Sequence, residues 1–184
     1  MKKNWESILM TKTRKNLKLK NPIKVPLRYL PKRLTQKERK KQGQMLQKSR
    51  KMYKQGKYYT RKQLKSYSSK PSGHVVNAKR MYKVESIGAT PELAKKTGCS
   101  VKTLGEIIRK GEGAYFSSGS RPNQTGPSWG KARLASAITS GKAAAVDYSI
   151  LEKGCSRGSK ALRLAKSAKK KYGYGKGSIP KVKL

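Results

Sequence analysis

The sequence predicts a mainly α-helical protein, with a small helical central domain that contains a helix-turn-helix-like hairpin and is flanked by extended basic arms. Helix caps followed by glycines recur in the second half of the chain, whereas prolines interrupt the first 34 residues. Lys and Arg are concentrated towards both ends. The 184 residues carry 47 Lys and Arg against 8 Asp and Glu, a formal net charge of +39. Such an excess points to a polyanionic partner.

The distribution of charge divides the chain into four regions. Residues 1–84 carry 27 basic and 2 acidic side chains, residues 85–153 carry 10 and 6, and residues 154–184 carry 10 and none. We predict an extended basic arm over 1–34, a basic helix and Tyr/Lys-rich connector over 35–84, a central helical domain over 85–153, and a basic helix and C-terminal tail over 154–184. Leu, Ile, Val and Phe number only 31 of 184 residues, so the flanks are expected to become ordered only within an assembly.

The first arm has the pattern of an extended chain. Pro22, Pro26 and Pro31 are spaced so that no helix can form between them. Apolar residues fall at odd positions from 17 to 27, which would place them on one side of a strand and the lysines on the other. This pattern predicts either a strap along another surface or a solvated tail.

A basic helix is predicted over about 36–55, because Thr35 and Glu38 match a capping box and Gly56 supplies a stop. Its apolar stripe is short, so we expect it to need an acidic neighbour rather than core burial. In the connector, tyrosines alternate with Lys and Arg, a combination suited to base stacking with phosphate contact. Packing of these tyrosines on the neighbouring domain is the alternative. They are Tyr58, Tyr59, Tyr67 and Tyr82.

Two short helices joined by a tight turn are predicted in the central domain. Thr90 caps a helix that ends at Gly98, and Ser100 caps a second helix, Val101 to Lys110, ended by Gly111. Residues 92–111 resemble a helix-turn-helix, whose recognition helix would offer Ser100, Lys102, Thr103 and Glu106 to a DNA groove. The alternative is a packed helical hairpin without a nucleic-acid role.

The rest of the chain is predicted as an ordered loop over 111–130 followed by further helices. Ser128 is expected to cap a helix from Trp129 to Thr139, Asp147 a short helix through Glu152, and Ser159 a helix from Lys160 to Tyr172. The segment 142–146 is too short to classify, and glycines leave the last twelve residues extended. Arg121 and Arg133 are candidates to bind an anion with the loop serines, or else to bond nearby carbonyls.

Catalysis and metal binding are not predicted. His74 lies in a basic region without a nucleophile beside it, and the carboxylate pairs have the spacings of helix caps and surfaces. With one histidine and two cysteines, a metal cluster is not expected, and no cofactor is predicted. Cys99 and Cys155 form no disulfide framework and suggest a reducing compartment, although whether they pair is left open. No apolar run is long enough for a membrane span.

The candidate binding residues are cations assigned to nucleic acid or an acidic partner. They are Lys40, Lys41, Arg50, Lys51, Arg61, Lys62, Lys102, Arg121, Arg133, Lys169, Lys170 and Lys171.

Three segments resemble an uncharacterised family of small, very basic proteins of nucleocytoplasmic large DNA viruses. The segments are YYTRKQLKSYSSKPSGHVVNAKRMY at 58–82, ELAKKTGCSV at 92–101, and YFSSGSRPNQTGPSWGKARLASAITSGKAAAVDYSILEKGCS at 115–156. A weaker likeness links the Gly-Arg-Pro loop and the following helix to domains of tailed-phage proteins. The resemblance implies a viral setting, in which small basic proteins line capsids or accompany packaged DNA.

These observations lead to the expectation of a non-enzymatic virion structural protein. It would be a minor capsid or cement-type component on the inner face of a large DNA virus capsid. During assembly the protein would be located in the host cell cytoplasm or nucleus. Expected partners are major and minor capsid proteins, together with viral DNA or an anionic internal membrane. The alternative is a DNA-binding virion or regulatory protein that uses the helix-turn-helix-like segment 92–111.

Overall fold

A computed structural model describes residues 24–173 and 180–183, and it confirms the mainly helical fold. Within these ranges lie eight helices: α1 (Gln36–Lys54), α2 (Gly73–Tyr82), α3 (Pro91–Thr97), α4 (Val101–Ser117), α5 (Gly126–Ile138), α6 (Lys142–Val146), α7 (Tyr148–Gly154) and α8 (Lys160–Tyr172). Two short strands, β1 (Lys24–Pro26) and β2 (Lys181–Lys183), pair antiparallel with Val25 opposite Val182. A single 3-10 turn, Leu27–Tyr29, follows β1.

Four predicted helix N-termini are confirmed by side-chain caps. Thr35, Thr90, Ser100 and Ser159 each accept a hydrogen bond from the backbone N–H three residues later. The capping box predicted for Thr35 and Glu38 is only half formed, because the Glu38 side chain does not accept from the Thr35 N–H. The Glu38 carboxylate instead accepts from the backbone N–H groups of Lys65 and Ser66 and from the Ser66 hydroxyl, so it holds the connector against the start of α1.

The predicted end of the second central helix is wrong, because α4 continues through Gly111 and Gly113 to Ser117. Gly111 faces a close crossing with α5, where an added Cβ would lie 2.7 Å from the Cα of Gly130. The glycine therefore permits helix contact instead of ending the helix. Helix α5 also begins earlier than predicted, at Gly126. Thr125 caps it and Ser128 completes the capping box as its third helical residue.

The main core crosses the predicted domain boundaries at 85 and 153. Helix α5 lies centrally, with Leu134 and Ile138 fully buried, and Tyr82 of α2 packs into the same core. One side of α8 is buried there as well, through Ala161, Leu162, Ala165 and Ala168. Helix α2 was not predicted, although Val75, Ala78 and Tyr82 have helical spacing and contribute to this core.

Helix α1 buries apolar residues within the chain, so the expectation that it lacks core burial is wrong, while its need for an acidic neighbour stays a prediction. Leu46 packs with Val25, Tyr29 and Leu30 in one cluster, and Met45 packs with Leu34 and Leu64 in another. The described part of the predicted arm, 24–34, therefore lies on its own chain. The apolar positions 17, 19 and 23 lie outside the described residues.

The question of the two cysteines is settled by the structure, which joins Cys99 to Cys155 in a disulfide. The neighbouring backbone pairs as well: Ser100 N–H donates to the Gly154 carbonyl at 2.9 Å and Ser156 N–H to the Gly98 carbonyl at 2.8 Å. The start of α4 is thereby attached to the end of α7. Among the described helices, none is long and apolar enough to cross a membrane.

Candidate polyanion-binding surface

Carboxylates are scarce in the folded body. The described residues include 39 Lys and Arg but only 7 Asp and Glu. In the described part of the chain two ion pairs form, and both use the same carboxylate, Asp147. Most of the described cations therefore lie outside any ion pair with a described carboxylate.

Asp147 forms a buried charged centre between α4, α5 and α7. Its side chain is fully buried and accepts two hydrogen bonds from Arg133, from Nε at 2.7 Å and from Nη2 at 2.8 Å. Lys110 Nζ lies 2.9 Å from the same carboxylate. The predicted role of Asp147 as a side-chain helix cap is wrong, since its oxygens are taken by these cations. The prediction that Arg133 binds an external anion needs the same correction.

Arg61 forms a second buried centre, without a carboxylate. Its Nη1 donates to Ser49 Oγ and to the Tyr115 carbonyl, both at 3.1 Å, and its Nη2 donates to Ser120 Oγ at 2.7 Å. The guanidinium carbon lies 3.7 Å from the centre of the Tyr115 ring, a close cation–π contact. Arg61 is only 7% exposed, so its assignment to an external partner is corrected: it holds the connector on the end of α4.

Burial lowers the pKa of both arginines near this centre. Desolvation lowers the pKa of Arg61, and the positive charge of Arg50 adds to the lowering. Desolvation also lowers the pKa of Arg50, whose Nη2 donates to the Ser118 carbonyl at 2.8 Å. The Nε of Arg50 is buried without a partner within the described residues. Arg50, predicted to meet a partner, is thus half-buried and bonded to the 118–120 loop.

A stripe of lysines covers the outer face of α1, and we call it the α1 lysine stripe. All six members are exposed, and at 1.5 Å per residue they extend over about 26 Å. Glu38 lies near one end, where its pKa is lowered mainly by the hydrogen bond from the Ser66 hydroxyl and in small part by Lys41. The members are Lys37, Lys40, Lys41, Lys48, Lys51 and Lys54.

A second basic face is formed by α8 and its surroundings. Lys170 and Lys171 are exposed, whereas Lys169 is half-buried with its Nζ 4.1 Å from the centre of the Tyr148 ring. The Lys160 Nζ lies 5.6 Å from the centre of the Tyr82 ring in the same way. Several lysines thus lie over tyrosine rings, which attract cations where carboxylates are few.

The helix-turn-helix-like segment has the predicted helices but not a free recognition surface. Ser100 and Thr103 hydrogen-bond to each other at 2.8 Å, and Thr103 Oγ1 also donates to the Gly154 carbonyl at 3.4 Å. Helix α7 borders the start of α4. Between the two helices lies a cavity of about 380 Å³ that is open to solvent and is lined by Lys102, Glu106 and Lys153 among others. A DNA groove would have to accommodate α7 beside the recognition helix.

The connector tyrosines differ in how deeply they are buried. Tyr82 is buried, its hydroxyl donates to the Ile138 carbonyl at 2.7 Å, and burial raises its pKa to about 12. Tyr59 and Tyr67 are half-buried against the cluster of Leu34, Met45 and Leu64. Tyr58 remains 70% exposed. The packing alternative therefore describes three of the four tyrosines.

The structure brings Lys40, Lys41 and Lys51 together on the α1 lysine stripe, while Lys62, Lys102 and Arg121 are exposed on separate segments. The candidates did not include three further members of the stripe, Lys37, Lys48 and Lys54. Their spacing of three, four and seven residues from the chosen lysines was a signal that could have found them. Among the described residues no cluster of His, Cys, Asp and Glu could hold a metal ion.

The fold and this surface define a mainly helical, strongly cationic protein with few internal carboxylates. The chain belongs to a family of unknown function, DUF5824, whose model matches residues 26–165. The match includes α1 to α7 and the first part of α8, and so both buried arginine centres. No match was found among the curated proteins or among the solved structures.

Proposed function

We propose that this protein is a non-enzymatic structural component of a virion, a minor capsid or cement-type protein that binds anionic partners through the surface of its helical body. The observation that carries the proposal is the lack of internal counter-charge: both ion pairs among the described residues use Asp147, which leaves the α1 lysine stripe without an ion-pair partner in the described part of the chain. A surface of this kind gains free energy when a partner supplies anionic groups and mobile counterions are released.

The viral setting of the proposal rests on the resemblance of residues 58–82, 92–101 and 115–156. In that setting the anionic partners are acidic patches of capsid proteins, packaged DNA or the anionic face of an internal membrane. The described arm, 24–34, packs on α1, so we assign the contacts to the folded body as well as to the residues that precede it. Part of the first flank, 24–34, thus packs on its own chain, and the ordering of the remaining flanking residues within an assembly stays a prediction.

An inventory of purified, nuclease-treated virions tests this role. The proposal predicts that the protein stays with shells stripped of DNA and that quantitative mass spectrometry finds a fixed ratio to the major capsid protein. Loss of the protein together with the DNA, or a ratio that varies between preparations, would contradict a capsid role.

DNA binding through residues 92–111 is the second candidate, and the observation that favours it is the confirmed pair of helices with Lys102 exposed on α4. This candidate predicts a preference for one duplex sequence that disappears in Lys102→Glu. This candidate would be contradicted if the protein bound unrelated duplexes with equal affinity and if Lys102→Glu left the ratio of those affinities unchanged. The border formed by α7 leads us to expect that result.

A further inference from the structure

Three aromatic rings form a row at the surface where the end of α1, the connector and the end of α4 meet. The ring centres of Tyr53 and Tyr58 are 6.2 Å apart, and those of Tyr58 and Phe116 are 4.9 Å apart. Tyr58 is 70% exposed and Tyr53 is 37% exposed. We call Tyr53, Tyr58 and Phe116 the aromatic row.

The aromatic row is held in position from below by the Arg61 centre. Phe116 packs edge-on against Tyr115, with ring centres 4.9 Å apart, and Tyr115 carries the Arg61 guanidinium on its ring. The backbone N–H of Arg61 donates to the Tyr115 hydroxyl at 3.2 Å, which ties the segment just after Tyr58 to α4. The position of the exposed ring is therefore set by buried contacts, so little ordering is needed on binding.

The chain also carries exposed cations next to the row in sequence. Lys54 and Lys57 are sequence neighbours of Tyr53 and Tyr58, and Lys62 follows the buried Arg61; all three are exposed. In the described part of the chain no carboxylate lies within ion-pair distance of these lysines. Exposed rings bordered by unpaired lysines are the combination that binds single-stranded nucleic acid, in which bases stack on the rings and phosphates meet the cations.

We propose that the aromatic row binds unpaired bases of single-stranded nucleic acid, with Tyr58 as the ring on which a base stacks and Lys54 and Lys57 as phosphate contacts. A duplex fits less well, because its base faces are already covered by neighbouring base pairs. A second copy of this chain also fits less well, since two chains of net charge +39 repel each other. This inference goes beyond the proposed assembly role and does not depend on the helix-turn-helix-like segment.

The test compares two fluorescein-labelled 20-mers by fluorescence anisotropy with the full chain at about 150 mM salt. One is oligothymidylate and the other is an abasic strand with the same number of phosphates. The wild-type protein should bind the thymidylate about tenfold more tightly than the abasic strand, because only the former can stack. Tyr58→Ala should remove this preference and leave the abasic affinity unchanged, whereas Tyr58→Phe should retain it.

Tyr58→Leu serves as a second variant, since it keeps an apolar contact with Phe116 but has no ring, and it should also lose the preference. Val76→Ala, an exposed apolar position on α2 at 56% exposure, is the matched control and should change neither affinity. Equal wild-type affinity for the two strands would overturn the inference, and so would a preference that survives in Tyr58→Ala and Tyr58→Leu. Absence of binding to both strands would also overturn the inference, and it would contradict the polyanion-binding surface as well.

Discussion

The two arginine centres stabilise a guanidinium that is largely removed from water, one with a carboxylate and the other with neutral groups. Arg133 is neutralised by a fully buried carboxylate, which it meets with two hydrogen bonds. Arg61 has no carboxylate and is surrounded by two hydroxyls, a carbonyl and the face of Tyr115. The comparison teaches that this chain uses Asp147 for one junction of helices and relies on dipoles and ring faces elsewhere, so almost none of the surface charge is cancelled.

Removing the buried carboxylate should have the largest effect on stability. Asp147→Asn leaves Arg133 without its counter-charge in a site where the Arg133 side chain is only 19% exposed. We expect a loss of about 3–5 kcal/mol in the free energy of unfolding, the usual result of breaking a buried ion pair from one side. Urea denaturation followed by circular dichroism measures it.

Glu152→Gln is the matched control for this variant, because Glu152 is an exposed carboxylate in the adjacent α7, bonded to the Tyr148 hydroxyl at 2.8 Å. Its effect should stay within about 0.5 kcal/mol. A loss below about 1 kcal/mol in Asp147→Asn would show that the Asp147–Arg133 centre does not contribute more to the free energy of unfolding than the Arg61 centre does.

Replacing Arg61 should separate the two kinds of centre. Arg61→Met removes a charge that burial disfavours, so the loss of its hydrogen bonds should cost only about 1 kcal/mol. Arg61→Lys should cost more, about 2 kcal/mol, because an ammonium is more strongly hydrated than a guanidinium and cannot reach the same partners. The same denaturation series measures both. A greater loss of free energy of unfolding in Arg61→Met than in Arg61→Lys would contradict this account. In this account the centre depends on the planar guanidinium and its contact with the Tyr115 ring, and not on the positive charge.

Tyr82 extends the comparison to a neutral buried group. Tyr82→Phe removes the hydroxyl that donates to the Ile138 carbonyl and should cost about 1 kcal/mol at pH 7. The raised pKa of about 12 means that the folded chain keeps this proton longer than the unfolded chain, whose tyrosine loses it near pH 10. The stability that Tyr82 provides is therefore complete below pH 10 and falls as the pH rises towards 12.

Denaturation of wild type and Tyr82→Phe at several pH values checks this linkage. The difference between them should shrink between pH 10 and pH 12 while it stays constant from pH 6 to pH 9. A constant difference up to pH 12 would mean that the hydroxyl is not desolvated in the folded chain.

The smallest effect on stability is expected at the α1 lysine stripe. The triple variant Lys40→Gln, Lys41→Gln and Lys51→Gln removes three exposed charges with no ion-pair partner among the described residues. Its free energy of unfolding should change by less than about 0.5 kcal/mol, or rise slightly as self-repulsion falls. Thermal unfolding measures this, and a marked loss would show that these lysines belong to the fold.

Local signals allowed the sequence to predict four of the helix starts but not the roles of the arginines. Thr90 and Ser100 act on residues only three positions away, so their caps can be read directly. The end of α4 depends on Gly111 meeting Gly130, and the fate of Arg61 depends on Ser120 and Tyr115. Such contacts between distant residues leave no periodic trace in the sequence.

The candidate site was predictable to the extent that it is made of exposed lysines. Lys40, Lys41 and Lys51 were chosen from the sequence and lie on one face because helical spacing places them there. In the sequence, Arg61 and Arg133 cannot be distinguished from surface arginines. Only the folded chain shows that Arg61 contacts the Tyr115 ring and that Arg133 pairs with Asp147.

The central claim is that the exposed lysines of the α1 lysine stripe, and not the buried arginines, meet the anionic partner. The most direct test measures the affinity of the full chain for a 30-bp duplex at a series of salt concentrations. The triple stripe variant should reduce the magnitude of the negative slope of log affinity against log salt by about 2 to 3 units. The control is a triple variant of exposed lysines on α3 and α7, Lys95→Gln, Lys96→Gln and Lys153→Gln, which should leave the slope nearly unchanged. An equal reduction in both variants, or no reduction in the stripe variant, would contradict the claim.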